Sequence, residues 1–238
     1  MTERLTERYR PSELSEIIGQ SDNVAMLESF AAEPYAKCWL FLGPPGTGKS
    51  TAGVALIRAL HADEGWPGYS VVDSSDMGID AFKEHWKFLQ CSFLCPKREH
   101  WHVLLVEELA RLSPQCQEAA KSWLELGLPE RAIVIATSND VSNLQRPLLE
   151  RFEQLDFTDG PEFKAACIER ARQIWTCELR VPFGVEQPST ERLLELGDRN
   201  GSFSMRALLG KIEQHVLKAK HHRVNEKETR KNAERVHG

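Results

Sequence analysis

The eight residues Gly43-Pro44-Pro45-Gly46-Thr47-Gly48-Lys49-Ser50 constrain this chain more than any other stretch. They fit G-x-x-x-x-G-K-[ST] and stand between an apolar run and a helix-like one. Cys38 to Leu42 reads as a buried strand, and Ser50 to His61 has the apolar spacing of a helix packed on a sheet. A strand, a glycine-rich turn and a helix N-terminus in that order make a phosphate site. Gly43, Gly46 and Gly48 let successive backbone N–H groups turn toward one anion, Lys49 brings a positive charge to the β/γ-phosphates, and the Ser50 hydroxyl can reach Mg2+.

The chain has 238 residues, enough for one α/β core and a smaller appendage. Its hydrophobic share of 41% and charged share of 27% are ordinary for a globular protein and argue against a disordered one. No apolar run approaches the roughly 20 residues a membrane helix needs, and the charged N-terminus lacks a signal-peptide core, so a cytoplasmic protein is expected. The six cysteines are scattered, which points to free thiols in a reducing compartment. Cys91, Cys95, His100 and His102 have zinc-ligand chemistry, but His102 belongs to an apolar strand and Cys91 to a helix, so packed side chains are expected there.

Apolar runs at Cys38 to Leu42, Tyr69 to Val72, His102 to Val106, Ala132 to Ala136 and Phe152 to Phe157 alternate with helical patterns. The intervening patterns cover Asn23 to Phe30, Ser50 to His61, Asp80 to Leu94 and Ser113 to Leu126. This is the signature of a five-stranded parallel sheet. After Asp159-Gly160-Pro161 the expected elements are helices only: Pro161 to Glu178, Ser189 to Arg199, and Ser202 to about His222. The expected division is a core over 1–158, a helical domain over 159–222 and a basic, flexible tail over 223–238. Net charge is −5, but the stretch from Lys211 onward carries +4, leaving −9 for the rest. Any nucleic-acid contact must therefore be local.

Two further motifs supply chemistry. The strand His102 to Val106 ends in Glu107 and Glu108; beside a phosphate loop, the first acid can hold Mg2+ through water and the second can polarise an attacking water. The strand Ala132 to Ala136 delivers Thr137 and Asn139 to the same carboxyl edge, where ligands of open α/β sheets bind; either could reach a γ-phosphate or its water.

In their order these motifs, with the flanking sequence, resemble the AAA+ ATPases, and most closely the replication factor C type of clamp-loader subunit. Glu7-Arg8-Tyr9-Arg10-Pro11 followed by Ile17-Ile18-Gly19-Gln20 is similar to that family's adenine-pocket signature, and Ser74 to Asp80 to its stretch after the second strand. The Glu107-Glu108 pair and the run Ser113 to Ala120 match the acid pair and the helix after it. The resemblance covers the chain to about residue 215. It implies an α/β P-loop AAA+ core followed by a small all-helical lid domain, with ATP and Mg2+ as ligands.

By that resemblance the nucleotide-binding residues are Tyr9, Arg10, Pro11, Gly43, Pro44, Pro45, Gly46, Thr47, Gly48, Lys49, Ser50 and Thr51, with Arg206 as the lid's second sensor. Glu108 and Asn139 are the implied catalytic pair, Ser50 and Glu107 the metal-binding pair, and Arg151 the arginine finger that acts on a neighbouring subunit. The implied partners are other AAA+ subunits or copies of the chain, a sliding clamp, and primer-template DNA contacted by Lys83 and Lys121. A Holliday-junction-type or other AAA+ DNA motor, and a weakly hydrolysing nucleotide switch that remodels a protein partner, are the alternatives.

Three departures stand out. Glu107 replaces the usual Asp, which implies slow turnover. Glu150 and Phe152 flank Arg151 in place of the family's Ser and Cys, and Glu150 could pair with it. The family's third, helical collar domain is expected to be missing, so that assembly would rest on the ATPase domains, nucleotide or a partner.

Overall fold

The computed structural model describes residues 3–61, 68–91, 100–179 and 187–218. Its elements are α1 (Leu5–Arg8), α2 (Ser21–Ala32), β1 (Lys37–Leu42), α3 (Lys49–Leu60), β2 (Tyr69–Asp73), α4 (Ile79–Gln90), β3 (His102–Glu107), α5 (Pro114–Glu125), β4 (Ala132–Ser138), α6 (Arg146–Leu149), β5 (Glu153–Asp156), α7 (Pro161–Leu179), α8 (Thr190–Gly197), the short β6 (Asp198–Arg199) and β7 (Ser202–Phe203), and α9 (205–218).

The five long strands form one parallel sheet in the order β2-β3-β4-β1-β5. β4, with all seven residues buried, is the central strand. Side chains alternate across it as a strand requires. Trp39, Phe41, Val103, Leu105, Ile133 and Ile135 face one way into a core shared with Leu27, Phe30, Leu56 and Leu60 of α2 and α3. Cys38, Leu40, Leu104, Val106, Val134 and Ala136 face the other way, against Phe82, Leu89, Cys116 and Ala120 of α4 and α5. Two apolar faces explain why β1, β3 and β4 read as continuous hydrophobic runs rather than alternating ones.

The helix starts follow from local chemistry. The Ser113 side chain accepts from the Cys116 amide and Pro114 takes the first turn of α5, where no N–H is needed. Ser189 caps α8 in the same way through the Arg192 amide. Buried Cys38 and Cys167 are packing thiols, pushed up to about 12 by burial.

The chain divides into two compact units, with the boundary between Asp159 and Gly160. The described residues up to Arg10 group with those from Gly160 onward, which corrects the expected core of 1–158. The cause is specific bonding: the Leu5 amide donates to Glu213 Oε1 at 3.0 Å, the Tyr9 hydroxyl donates to Glu178 Oε1 at 3.1 Å, and Arg8 pairs with Glu178. The second unit is also not purely helical. Asp198–Arg199 pairs antiparallel with Ser202–Phe203, so the helix expected to reach Arg199 stops at Gly197 and the next begins at 205. Asn200 (φ 56°) and Gly201 (φ 84°) make the tight two-residue turn that an Asn-Gly pair favours. The basic tail over 223–238, the end of the helix expected at Leu94, and Cys95 lie outside the described residues. Among the described residues no helix is long and apolar enough to cross a membrane.

Candidate functional site

β1 ends at Leu42, and the chain turns through Gly43 to Gly48 into α3 at the carboxyl edge of the sheet. Gly43, Gly46 and Gly48 have φ of 147°, 87° and 102°, conformations that side chains resist. At Gly43 space is also closed: a Cβ there would stand 2.0 Å from the Phe157 carbonyl oxygen. The loop is fastened from three sides. The Gly43 amide donates to the Ser138 carbonyl at 3.2 Å, the Thr47 hydroxyl to the Pro44 carbonyl at 2.9 Å, and Gln20 Nε2 to the Thr158 carbonyl at 2.8 Å and the Thr47 carbonyl at 3.5 Å.

Lys49 is buried at the first position of α3, and its ammonium donates to the Gly43 and Pro44 carbonyls at 2.6 and 2.8 Å and to Asn139 Oδ1 at 2.9 Å. Asn139 in turn donates through Nδ2 to Glu108 Oε1 and Oε2 at 3.0 and 2.9 Å. The amide orientation is fixed by its neighbours, since an ammonium only donates and a carboxylate only accepts. Lys49, Asn139 and Glu108 therefore form one polar chain across the ends of three elements.

Glu108 directly follows β3 and has φ 56° and ψ 51°, a left-handed conformation unusual for a residue with a side chain. Its amide donates to the Thr137 hydroxyl at 3.2 Å. Glu107, the last residue of β3, is half-buried and lies in register beside Asp73. The Asp73 carboxylate accepts from the Ser75 hydroxyl and amide, at 2.5 and 2.8 Å, which holds it below the usual carboxylate range. The Ser50 hydroxyl in the first turn of α3 and the Glu107 carboxylate at the end of β3 are oxygen donors of the kind Mg2+ takes, and the glycine cradle with Lys49 fits a polyphosphate. Thr51 follows Ser50 in the same turn.

Other expected site residues lie elsewhere. Arg151 precedes β5, so it stands toward the amino edge of the sheet, away from the loop. It is 43% exposed, pairs with Glu125 at 3.5 Å, and lines an open groove of about 630 Å³ with Lys37, Leu124, Leu128 and Glu153. Glu150, which could have paired with Arg151, instead meets Arg146 at 3.3 Å, one helical turn away. Lys83 and Lys121 are each met by an acid on their own helix, Asp80 at 3.5 Å and Glu118 at 2.5 Å. Within the second unit, Arg206 is exposed in the first turn of α9, Arg10 pairs with Glu7 at 3.8 Å, and burial with the Glu178 bond raises the Tyr9 hydroxyl's pKa. Pro11 opens the first unit. Sequence reasoning placed Gln20 only in the adenine-pocket signature, whereas its amide fastens the loop, and it offered Thr137 as an alternative to Asn139 for the γ-phosphate or its water, whereas the Thr137 hydroxyl faces the Glu108 amide.

A parallel α/β sheet whose inner strand β1 feeds a glycine-rich loop, with a buried lysine at the start of the next helix and acids from the adjoining strand, defines a P-loop nucleotide-binding core. Residues 39–158 match the model of the ATPase family associated with various cellular activities (AAA), half of the chain, and the chain belongs to that family.

Among similar curated proteins is the replication factor C small subunit of Sulfolobus acidocaldarius, 31% identical over 146 residues, 61% of this chain and 44% of the relative. That of Picrophilus torridus is 26% identical over 195 residues, 81% and 59% respectively. The chain spans about half the length of the curated relatives it matches. Among solved structures, a RuvB mutant of Thermotoga maritima superposes with a TM-score of 0.63 at 19% identity, covering 87% of this chain and 65% of that one, a likeness of fold.

Proposed function

We propose that the chain binds ATP with Mg2+ at the Gly43–Thr51 loop, hydrolyses it, and works as a subunit of a clamp-loader-like assembly on DNA and a sliding clamp. The observation that carries this reading is the polar chain Lys49–Asn139–Glu108, which links the phosphate-binding cation to the candidate base through one amide. In this reading Lys49 exchanges its loop carbonyls for β- and γ-phosphate oxygens, and Asn139 senses the γ-phosphate. Glu108 accepts the proton of the attacking water. Ser50 and, through water, Glu107 would hold Mg2+, which would supply neutralising charge to the phosphates.

Arg151 serves another copy or subunit. Glu153 is in register with Trp39 while the loop follows Leu42, so three strand residues at about 3.3 Å each, roughly 10 Å, already separate the start of β5 from its own loop. A guanidinium on that side meets phosphate only across an interface, as the open groove around it would permit. By the family resemblance, Tyr9, Arg10, Pro11 and Arg206 are proposed as further nucleotide-binding residues. Lys83 and Lys121 contact DNA phosphates, exchanging Asp80 and Glu118 for them. The replication factor C names of the relatives support the replication context.

Phosphate release from ATP, with and without primed DNA, tests the proposal. Glu108→Gln is expected to lower turnover about 100-fold or more while nucleotide affinity stays within about threefold. Wild-type turnover in that variant would remove Glu108 from the reaction.

A further inference from the structure

The Glu108 amide has left the strand ladder: β3 pairs with β4 only as far as Val106 with Ala136. A part-buried backbone donor without a ladder partner gains from another acceptor. It finds one in the hydroxyl of Thr137, a residue 2% exposed that continues the stripe of Ile133 and Ile135 on the α3 side of the sheet. A hydroxyl at the end of an apolar stripe is costly unless bonded, so each group answers the other's need. Two residues further along, just past the end of β4, Asn139 grips the Glu108 carboxylate through both oxygens. The end of β4 and the residue after it thus hold Glu108 at two points, backbone and side chain, and between them lies the left-handed turn at φ 56° that aims the one relative to the other.

We infer that Thr137 is a positioning residue: through its bond to the Glu108 amide it fixes the left-handed turn and so sets where the Glu108 carboxylate stands. The inference rests on the reading of Glu108 as the base for ATP hydrolysis. Valine at position 137 keeps the branched shape that a strand favours but cannot accept the amide, whereas serine can.

The test compares Thr137→Val and Thr137→Ser, in the wild-type chain and in Glu108→Gln, by three readouts: kcat for phosphate release, Kd for ADP, and amide hydrogen exchange at Glu108 in nucleotide-free protein. Thr137→Val is expected to lower kcat on the order of 10- to 100-fold, with Kd for ADP within about twofold of wild type. Exchange at the Glu108 amide should quicken by about tenfold or more. Thr137→Ser should restore all three, and Thr137→Val should add no loss of turnover to Glu108→Gln. The ADP measurement separates positioning from misfolding, because a disordered sheet edge would weaken nucleotide binding in step with turnover. Thr137→Val turning over as wild type, losing ADP affinity in proportion to kcat, or leaving the exchange rate unchanged would overturn the inference. Glu108→Gln at the wild-type rate would overturn the hydrolytic reading instead, and the exchange experiment would still decide whether Thr137 holds the turn.

Discussion

Lys49 shows how much of this site is decided by single side chains. Lys49 is buried, and burial of a cation is tolerable where oxygens such as the Gly43 and Pro44 carbonyls and Asn139 Oδ1 accept from it. Phosphate oxygens are stronger acceptors than carbonyls for such a charge, so the residue is poised to trade partners. Gly43 and Gly48 make a contrasting pair in the same loop. Both have positive φ, but a Cβ at Gly48 meets nothing nearer than Ile17 Cγ2 at 3.9 Å, whereas at Gly43 it would overlap the Phe157 carbonyl. Gly48→Ala should therefore cost about 1 kcal/mol of stability and Gly43→Ala at least about 2 to 3 kcal/mol, measured by urea unfolding. Equal costs would mean that the loop yields freely at Phe157. The phosphate loop was legible in the sequence because anion binding needs those residue types at that spacing. The left-handed Glu108 was not, since two adjacent glutamates give no local sign that the second leaves the strand in that conformation.

At the scale of elements, the sequence spoke most clearly where burial is two-sided. β1, β3 and β4 lie where their apolar runs stand, with ends shifted by no more than two residues, because a strand covered on both faces has no polar positions to blur it. Less legible were pieces whose cause is local turn chemistry or distant bonding. An Asn-Gly pair favours a tight hairpin turn, and the expected helices ending at Arg199 and beginning at Ser202 left that signal unread. The first ten residues carry no pattern that would tie Leu5, Arg8 and Tyr9 to Glu213 and Glu178, more than 160 positions away. Connections between elements are also secured by side chains. Buried Gln117 on α5 donates to the Leu112 and Asn143 carbonyls, both at 3.0 Å, and accepts the Gln145 amide at 2.9 Å, pinning the segment that leads to α6 and Arg151. Gln117→Leu keeps the volume but strands three backbone groups, so it should destabilise the fold by about 1 to 3 kcal/mol in chemical denaturation. A neutral effect would show that water replaces the amide there.

For the whole molecule, the sheet itself separates the residues of the proposed chemistry: the loop, Glu108 and Asn139 lie at the carboxyl edge, while Arg151 enters from the amino side. On the proposed reading a single copy does not use both on one nucleotide, so turnover should depend on association. Mixing Arg151→Ala with Lys49→Ala protein should recover activity that neither has alone, because a mixed interface pairs an intact loop with an intact arginine. Failure to recover it, with active wild type as the reference, would remove Arg151 from catalysis. Beneath all of these lies nucleotide uptake at Lys49, and isothermal titration calorimetry with ATP and Mg2+ measures it most directly. The account predicts saturable heat at one site per chain for the wild type and none for folded Lys49→Ala; no heat from folded wild-type protein, or equal heat from the variant, would contradict it.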